Sequence, residues 1–383
     1  MTTYREAGAT GFALLAQQYQ KSEALFDGNF WFGGNSLHTC LNYLLETKQT
    51  DNKKILETGQ KFYTRLVNAS DWWRDDYAWW GNAFVLAIKN RNELGYGALS
   101  YNGLFDDLKS YARDCCYKLI ENWSNQGYGG DLDNAAGANA QITGGTFNTH
   151  DQPPMSGRNS VTNEGFWLLC QQLAKLNPGN PDYGTYSAKA GKWFNDWFTA
   201  YPKNQKIGIY NLNGLVLERP LGNMTAPDWY WSGDQGLMME ALYLSGLQAT
   251  DIGVAVRANM IDPDGVLHEN MSFYAKPTLQ QFLADYGTGK GICLRTLAKL
   301  NRFNPNHPFA KMIANTATAV WCTRQPGDQF VFNWNPKYSK EPPVITGKSA
   351  ELNNVIMQTS GLEALTAALS VAPDAQMPPC LKE

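Results

Sequence analysis

An all-α chain closed into a single-domain (α/α)6 toroid, six helical hairpins in a ring, is the fold that this sequence predicts. Three observations lead there. Helical periodicity recurs from end to end, connections alternate between very short and long, and no comparable run of alternating strand residues occurs. Helices are expected near 5–24, 33–48, 51–69, 76–92, 104–123, 160–176, 184–201, 232–247, 250–260, 284–301, 306–323 and 355–371. In 160–176, Val161, Gly165, Leu169, Leu173 and Leu176 recur at three- and four-residue steps as one apolar stripe, and Asn163 and Glu164 begin its polar side. In 284–301, Ile292, Thr296 and Leu300 fall on one line, with Cys293 and Leu297 beside it. The links at 48–51 and 247–250 are short enough for antiparallel hairpins. Those at 124–159, 202–231, 261–283 and 324–354 are long and rich in Gly, Pro, Asn and aromatics, which is where function concentrates. Extended segments are expected only at 206–210 and 329–334. One domain over 1–383 is the expected organisation.

Composition narrows the function classes. With 383 residues and 43% hydrophobic side chains a large core can form. No uninterrupted apolar stretch is long enough to span a bilayer. A net charge of −3 lacks the basic footprint of a nucleic-acid or anionic-membrane binder. The distinctive feature is 13 Trp and 19 Tyr against only 17% charged residues. Indoles flanked by Asn, Asp and Gln suit the apolar C–H faces and hydroxyl edges of sugars, although a Trp-rich core is the plain alternative. The seven cysteines are scattered with no C-x-x-C pair, so no zinc or redox site is expected, and most sit where a free thiol packs as a small hydrophobe. Four dispersed histidines and no G-x-S-x-G elbow argue against a Ser-His-Asp hydrolase. The opening Met1-Thr2-Thr3-Tyr4 has no apolar secretory h-region, which leaves the native compartment open.

The segment from Asp71 to Phe84 carries most of the chemistry. Asp75 is expected at the N-cap of a helix and Asp76 in its first turn, where free N–H groups and the helix dipole favour anions. A cap alone accounts for an ordinary Asp-Asp pair. Here Trp72, Trp73, Trp79, Trp80 and Tyr77 surround the two carboxyls. Adjacent carboxyls split their pKa values, so one stays ionised while its neighbour, pressed against indoles, keeps a proton. Retaining glycoside hydrolysis needs that combination, with carboxyls about 5–5.5 Å apart.

Asp75-Asp76-Tyr77-Ala78-Trp79-Trp80 resembles the Asp-Asp-Met-Ala-Trp-Trp signature of glycoside hydrolase family 76, the endo-α-1,6-mannanases. Further segments follow in the family's order, from about residue 30 to 370. Thr162-Asn163-Glu164-Gly165-Phe166 is similar to its Ser/Thr-Asn-Glu-Leu-Phe helix, and Gly214-Leu215-Val216 to its Gly-Leu-Val/Ile turn. Trp231-Ser232-Gly233-Asp234-Gln235-Gly236 stands where the family has Tyr-Asn-Gln-Gly. The helix from Gly289 to Leu300 resembles Phe-Lys-Gly-Ile-x-x-Arg-x-Leu, and Gly361-Leu362-Glu363-Ala364-Leu365 the closing helix.

The resemblance implies a retaining α-mannanase on an (α/α)6 barrel, with Asp75 as nucleophile and Asp76 as general acid/base, an order the residues themselves do not fix. It implies sugar contacts from Trp79, Trp80, Asn163, Trp229, Tyr230, Trp231 and Gln235. It also points to the loop with Asp131, Asp133 and Asn134, which departs from the family's Gly-Gly-Gly-x-Trp-Trp-like stretch. Asn163 and Glu164 can equally be caps, and Lys290 and Arg295 are expected in structural ion pairs. Asp264-Gly265 reads as a turn. No cofactor and no metal are expected, since two carboxylates suffice. The expected partner is an α-mannan or α-manno-oligosaccharide, with neither nucleic acid nor membrane span, and a monomer is expected. Transfer of the glycosyl group to another sugar, or carbohydrate binding without turnover, are the alternatives. The resemblance suggests a secreted or cell-surface protein.

Overall fold

The structure, a computed structural model, describes residues 2–21, 26–69, 72–125, 142–150, 157–200, 208–211, 213–221, 230–269, 283–339, 341–342 and 348–380. Among these residues there are twelve α-helices: α1 (Tyr4–Lys21), α2 (Phe30–Thr47), α3 (Lys54–Leu66), α4 (Asp75–Lys89), α5 (Asn102–Glu121), α6 (Ser160–Leu176), α7 (Pro181–Ala200), α8 (Ser232–Leu244), α9 (Thr250–Asn259), α10 (Leu283–Phe303), α11 (Ala310–Thr323) and α12 (Ala350–Val371). The even-numbered helices pack in succession, α2 on α4, α4 on α6, α6 on α8, α8 on α10, α10 on α12, and α12 back on α2. That closes an inner ring. The odd-numbered helices form the outer layer, α3 against α2, α5 against α4, α7 against α6, α9 against α8, and α1 and α11 against α12. This is the (α/α)6 toroid.

Side-chain patterning explains which helix goes where. The outer α3 is amphipathic and buries only one stripe, Ile55, Leu56, Gly59, Phe62, Tyr63 and Leu66. The inner α12 is buried on every side, almost without a break from Leu352 to Leu369, because it touches inner and outer neighbours at once. The same holds for α6. Its expected polar side does not face solvent, and Asn163 and Glu164 are completely buried. Glycines let the inner helices approach closely. A Cβ on Gly236 would lie 2.7 Å from the backbone oxygen of Ile292, and one on Gly291 would lie 2.9 Å from the Cα of Ser360.

The extended segments are minor. An antiparallel pair, β1 (Gly208–Tyr210) and β2 (Val216–Leu221), forms on one side of the 206–210 expectation, while 206–207 lie outside the described residues. No strand forms at 329–334; Gln329 makes a single bridge to Gln325, and Trp334 instead fills the core. Most of the cysteines pack as buried free thiols, as expected: Cys40, Cys115, Cys116, Cys170 and Cys293. The other two, Cys322 of α11 and Cys380, are bonded to each other and tie the C-terminal segment to the outer layer. Among the described residues no helix is long and apolar enough to cross a membrane.

Candidate active site

A cavity of about 590 Å³ opens where the inner helices begin. Its lining comes from the start of each one: Trp31 of α2, Asp75 and Asp76 of α4, Val161 of α6, Trp231 just before α8, Asp285 and Tyr286 of α10, and Lys348 just before α12. Strand β2 adds Glu218 and Arg219. Helix starts present unpaired N–H groups and the positive end of the dipole, so this end of the ring favours anionic side chains.

Asp75 is the first helical residue of α4 rather than its N-cap. Arg74 holds the cap position and is already helical, with φ −82° and ψ −32°. The backbone on this approach is pinned, since Arg74 N–H donates to the Asn148 carbonyl at 2.7 Å and His150 N–H to the Trp72 carbonyl at 2.8 Å. The Arg74 side chain is buried with its guanidinium over the Tyr77 ring. Lys348 is a cation that acts on both Asp76 and Asp285.

The two aspartates sit in different surroundings. Burial pushes the Asp75 carboxyl up to about 7, with the charges of Asp285 and Glu218 adding to it, while the N–H groups of Asp75 and Asp76 pull it down. Asp76 is held well above the carboxylate range, first by burial and then by the charges of Asp75 and Asp285. The Trp31 backbone N–H and Lys348 offset this only in part. Asp75 is therefore the first of the pair to ionise. Asp285, raised by burial to about 7, accepts a hydrogen bond from the Trp31 side chain. Trp31 thus serves both acids, its backbone on Asp76 and its indole on Asp285.

Two further acids stand on neighbouring inner helices, Asp234 in the first turn of α8 and Glu164 just past the first turn of α6. Glu164 of α6 and Asp234 of α8 are wholly buried, and none of their four carboxyl oxygens has a hydrogen-bond partner. Burial raises both well above their ordinary range. The charge of Asp234 adds to the shift on Glu164, and Glu218, Glu269 and Asp75 add to that on Asp234. They are held as neutral acids. Glu269, raised to about 8 mainly by burial, accepts from the Ser232 hydroxyl and N–H.

The remaining expected contacts divide. Trp79 and Trp231 line the cavity, and the indole N–H of Trp231 has no hydrogen-bond partner. Trp80 does not; it is fully buried and donates to the Phe30 carbonyl at 2.9 Å, bracing α4 against α2. Asn163 accepts from Thr146 N–H at 2.7 Å and donates to the Thr146 and Asn159 carbonyls, which anchors the incoming loop. Gln235 clamps Val216 through both backbone groups at 2.8 Å, fastening β2 to α8. Tyr230 packs against the core without lining the cavity. Asp131, Asp133, Asn134 and Trp229 lie outside the described residues. Lys290 pairs with Glu341 at 2.9 Å and Arg295 with Glu363 at 3.1 Å, both buried. Asp262 accepts from the N–H groups of Asp264 and Val266, and Gly265 takes φ +83° in the turn.

Sequence reasoning missed Trp31, Glu218, Asp285, Tyr286 and Lys348. One signal existed for Asp285, an acid in the first turn of an inner helix, the position that singled out Asp75 and Asp76.

No family model matches the sequence, and no curated protein matches it. Solved structures do match its fold. A family 76 α-mannanase of Bacteroides thetaiotaomicron superposes with a TM-score of 0.57 at 10% identity, over 88% of this chain and 86% of its own. A family 76 mannosidase of the same organism gives 0.56 at 14% identity, over 94% and 98%. A family 76 glycoside hydrolase from a bovine strain gives 0.53 at 12% identity, over 89% and 69%. In fold, this chain is similar to the family 76 glycoside hydrolases.

Proposed function

We propose that the chain is a retaining glycoside hydrolase that cleaves α-mannosidic bonds, of the α-1,6 type, in a mannan. The observation that carries this reading is the placement of Asp75 and Asp76 on one cavity wall in unequal surroundings, with Asp75 the readier to ionise. Asp75 is the nucleophile. Its carboxylate attacks the anomeric carbon while Asp76 gives its proton to the departing glycosidic oxygen, so the C–O bond breaks as the ester forms. Water then attacks the same carbon, Asp76 takes its proton, and Asp75 leaves as carboxylate.

Side chains from consecutive residues at one helix start favour the short separation of about 5–5.5 Å that a retaining mechanism needs over the wider gap that admits a water. Trp79 and Trp231 supply apolar faces for the sugar, and Asp285, Glu218 and Lys348 supply groups for its hydroxyls. The mannan assignment rests on the ordered motif resemblance. The closed ring from α2 to α12 supports one catalytic unit over 1–383.

Incubation with α-1,6-manno-oligosaccharides, followed by NMR of the first-formed product, tests the reading. Release of α-anomers by the wild type, abolished in Asp75→Asn and Asp76→Asn, is the expected result. Unchanged release in both variants refutes it.

A further inference from the structure

Two tryptophans precede the catalytic pair, and both stand out from the solvent-facing side of an aromatic-rich core. Trp72 is 49% and Trp73 45% exposed, whereas Trp79, Trp80, Trp167, Trp193, Trp197, Trp231 and Trp334 are all 5% or less. Each of these two indoles leaves about half of its apolar surface open to contact from outside. The backbone that carries them does not move freely. Trp73 forms an antiparallel bridge with Thr149, flanked by the Arg74–Asn148 and His150–Trp72 hydrogen bonds.

The two indoles differ in one respect. Trp73 lines the cavity of Asp75 and Asp76, and Trp72 does not. On the same rim are Asn148 and Asn29, and Lys348 donates to the Asn29 side-chain oxygen at 2.7 Å. The rim therefore pairs one fixed, exposed aromatic face with amide and ammonium groups. A pyranose ring has the complementary construction, an apolar face of C–H groups bordered by hydroxyls.

We propose that the Trp73 indole is a stacking platform for a sugar ring of the mannan chain that lies beyond the bond being cleaved, at the mouth of the cavity. The inference rests on the reading of the cavity as a mannan site. It assigns Trp73 a role in chain-length preference: a substrate long enough to reach the rim gains the contact, and a short one does not. Trp72, equally exposed on the same pinned segment, is its internal control.

Affinity electrophoresis through gels containing α-1,6-mannan tests this with the full chain, alongside reducing-end release from oligosaccharides of increasing length. Trp73→Ala should weaken retardation by about tenfold, the scale of a lost aromatic stacking contact. Trp73→Phe should recover part of the loss, and Trp72→Ala should match the wild type. In turnover, the loss in kcat/KM for Trp73→Ala should grow with oligosaccharide length and then level off, while thermal unfolding stays that of the wild type. Wild-type retardation by Trp73→Ala, an equal loss in Trp72→Ala, or a wild type that mannan does not retard would each overturn the platform. A wild type that is retarded through Trp73 but releases no reducing ends would leave the platform standing and sink the hydrolase reading instead.

Discussion

Asp75→Asn should stabilise the fold while abolishing the proposed activity, and the stabilisation should depend on pH in a defined direction. The Asp75 carboxyl titrates at 3.8 when unperturbed and at about 7 in the folded chain. A carboxyl raised by folding binds its proton more tightly in the native state than in the unfolded one. Stability is then fully present below the unfolded value and is lost as pH rises through the folded value. A rise of about three pH units corresponds to at most ~4 kcal/mol. Asp75 shares its cavity with Asp285 and Glu218, and a neutral asparagine oxygen accepts the helix-start N–H groups less strongly than a carboxylate, so about 2 kcal/mol at pH 8 is the expected gain. Below pH 4 the gain should vanish. Urea unfolding of wild type and variant at pH 4, 6 and 8 provides the assay, read as the difference in midpoint at constant m. A variant less stable than wild type at pH 8, or a difference that does not change between pH 4 and 8, would refute the electrostatic account of the site.

Three further outcomes follow from the same structure. Lys348→Met removes the cation that lowers Asp76 and Asp285, so the alkaline limb of kcat/KM, where the acid loses its proton, should move to higher pH; an unmoved limb would count against Asp76 as the acid. Glu341→Gln strips the partner from Lys290 in a pair that is 0% and 1% exposed, and should cost roughly 3–5 kcal/mol in denaturant unfolding. Cys322→Ser opens a bridge between residues 58 apart and should lower stability by about 2–4 kcal/mol, an effect that reductant should reproduce in the wild type and not in the variant.

What was legible in the sequence, and what was not, follows from the physics of each signal. Helix periodicity is local, so twelve helices and their paired order were readable, with no end displaced by more than five residues. The apolar stripe of 160–176 was readable too, but the polar side opposite it was not, because α6 touches α4 and α8 as well as α7, and Asn163 and Glu164 face helices rather than water. Asp75 and Asp76 announced themselves by adjacency to each other and to indoles. Asp285 lies more than two hundred residues away, and Glu218 and Lys348 sit on other elements again, so only closure of the ring brings them together. The Cys322–Cys380 bridge was not legible for the same reason, since no local pattern marks a pair 58 residues apart. Trp80 and Gln235 were expected at the sugar because the resemblance places them in motifs that line the family's cleft. Both are instead used to lock one element to the next, Trp80 to the Phe30 carbonyl and Gln235 to Val216.

Helix α10 shows how the ring reconciles a charged site with a stable core. Asp285 in its first turn faces the cavity, raised to about 7 by burial, with the Trp31 indole and Lys348 partly compensating it. Lys290, five residues on, is paired with Glu341 and enclosed by the Phe332 and Trp334 rings at 4.4 and 4.1 Å. Arg295, five residues further, is paired with Glu363. At about 1.5 Å per residue the three charges span roughly 15 Å of one helix. The partly compensated charge stands at the mouth and the ion-paired ones below it. An acid with incomplete compensation is destabilising wherever it sits, but only at the helix starts do free N–H groups and an open cavity keep it able to exchange a proton. The same charge one or two turns deeper would be a buried ion without water, and there the chain places the Lys290–Glu341 and Arg295–Glu363 ion pairs or a neutral acid such as Glu164. Chemistry confined to the first turns of the inner ring is therefore a consequence of the toroid, and it accounts for why the candidate acids of α4 and α10 sit at equivalent positions in helices far apart in the chain.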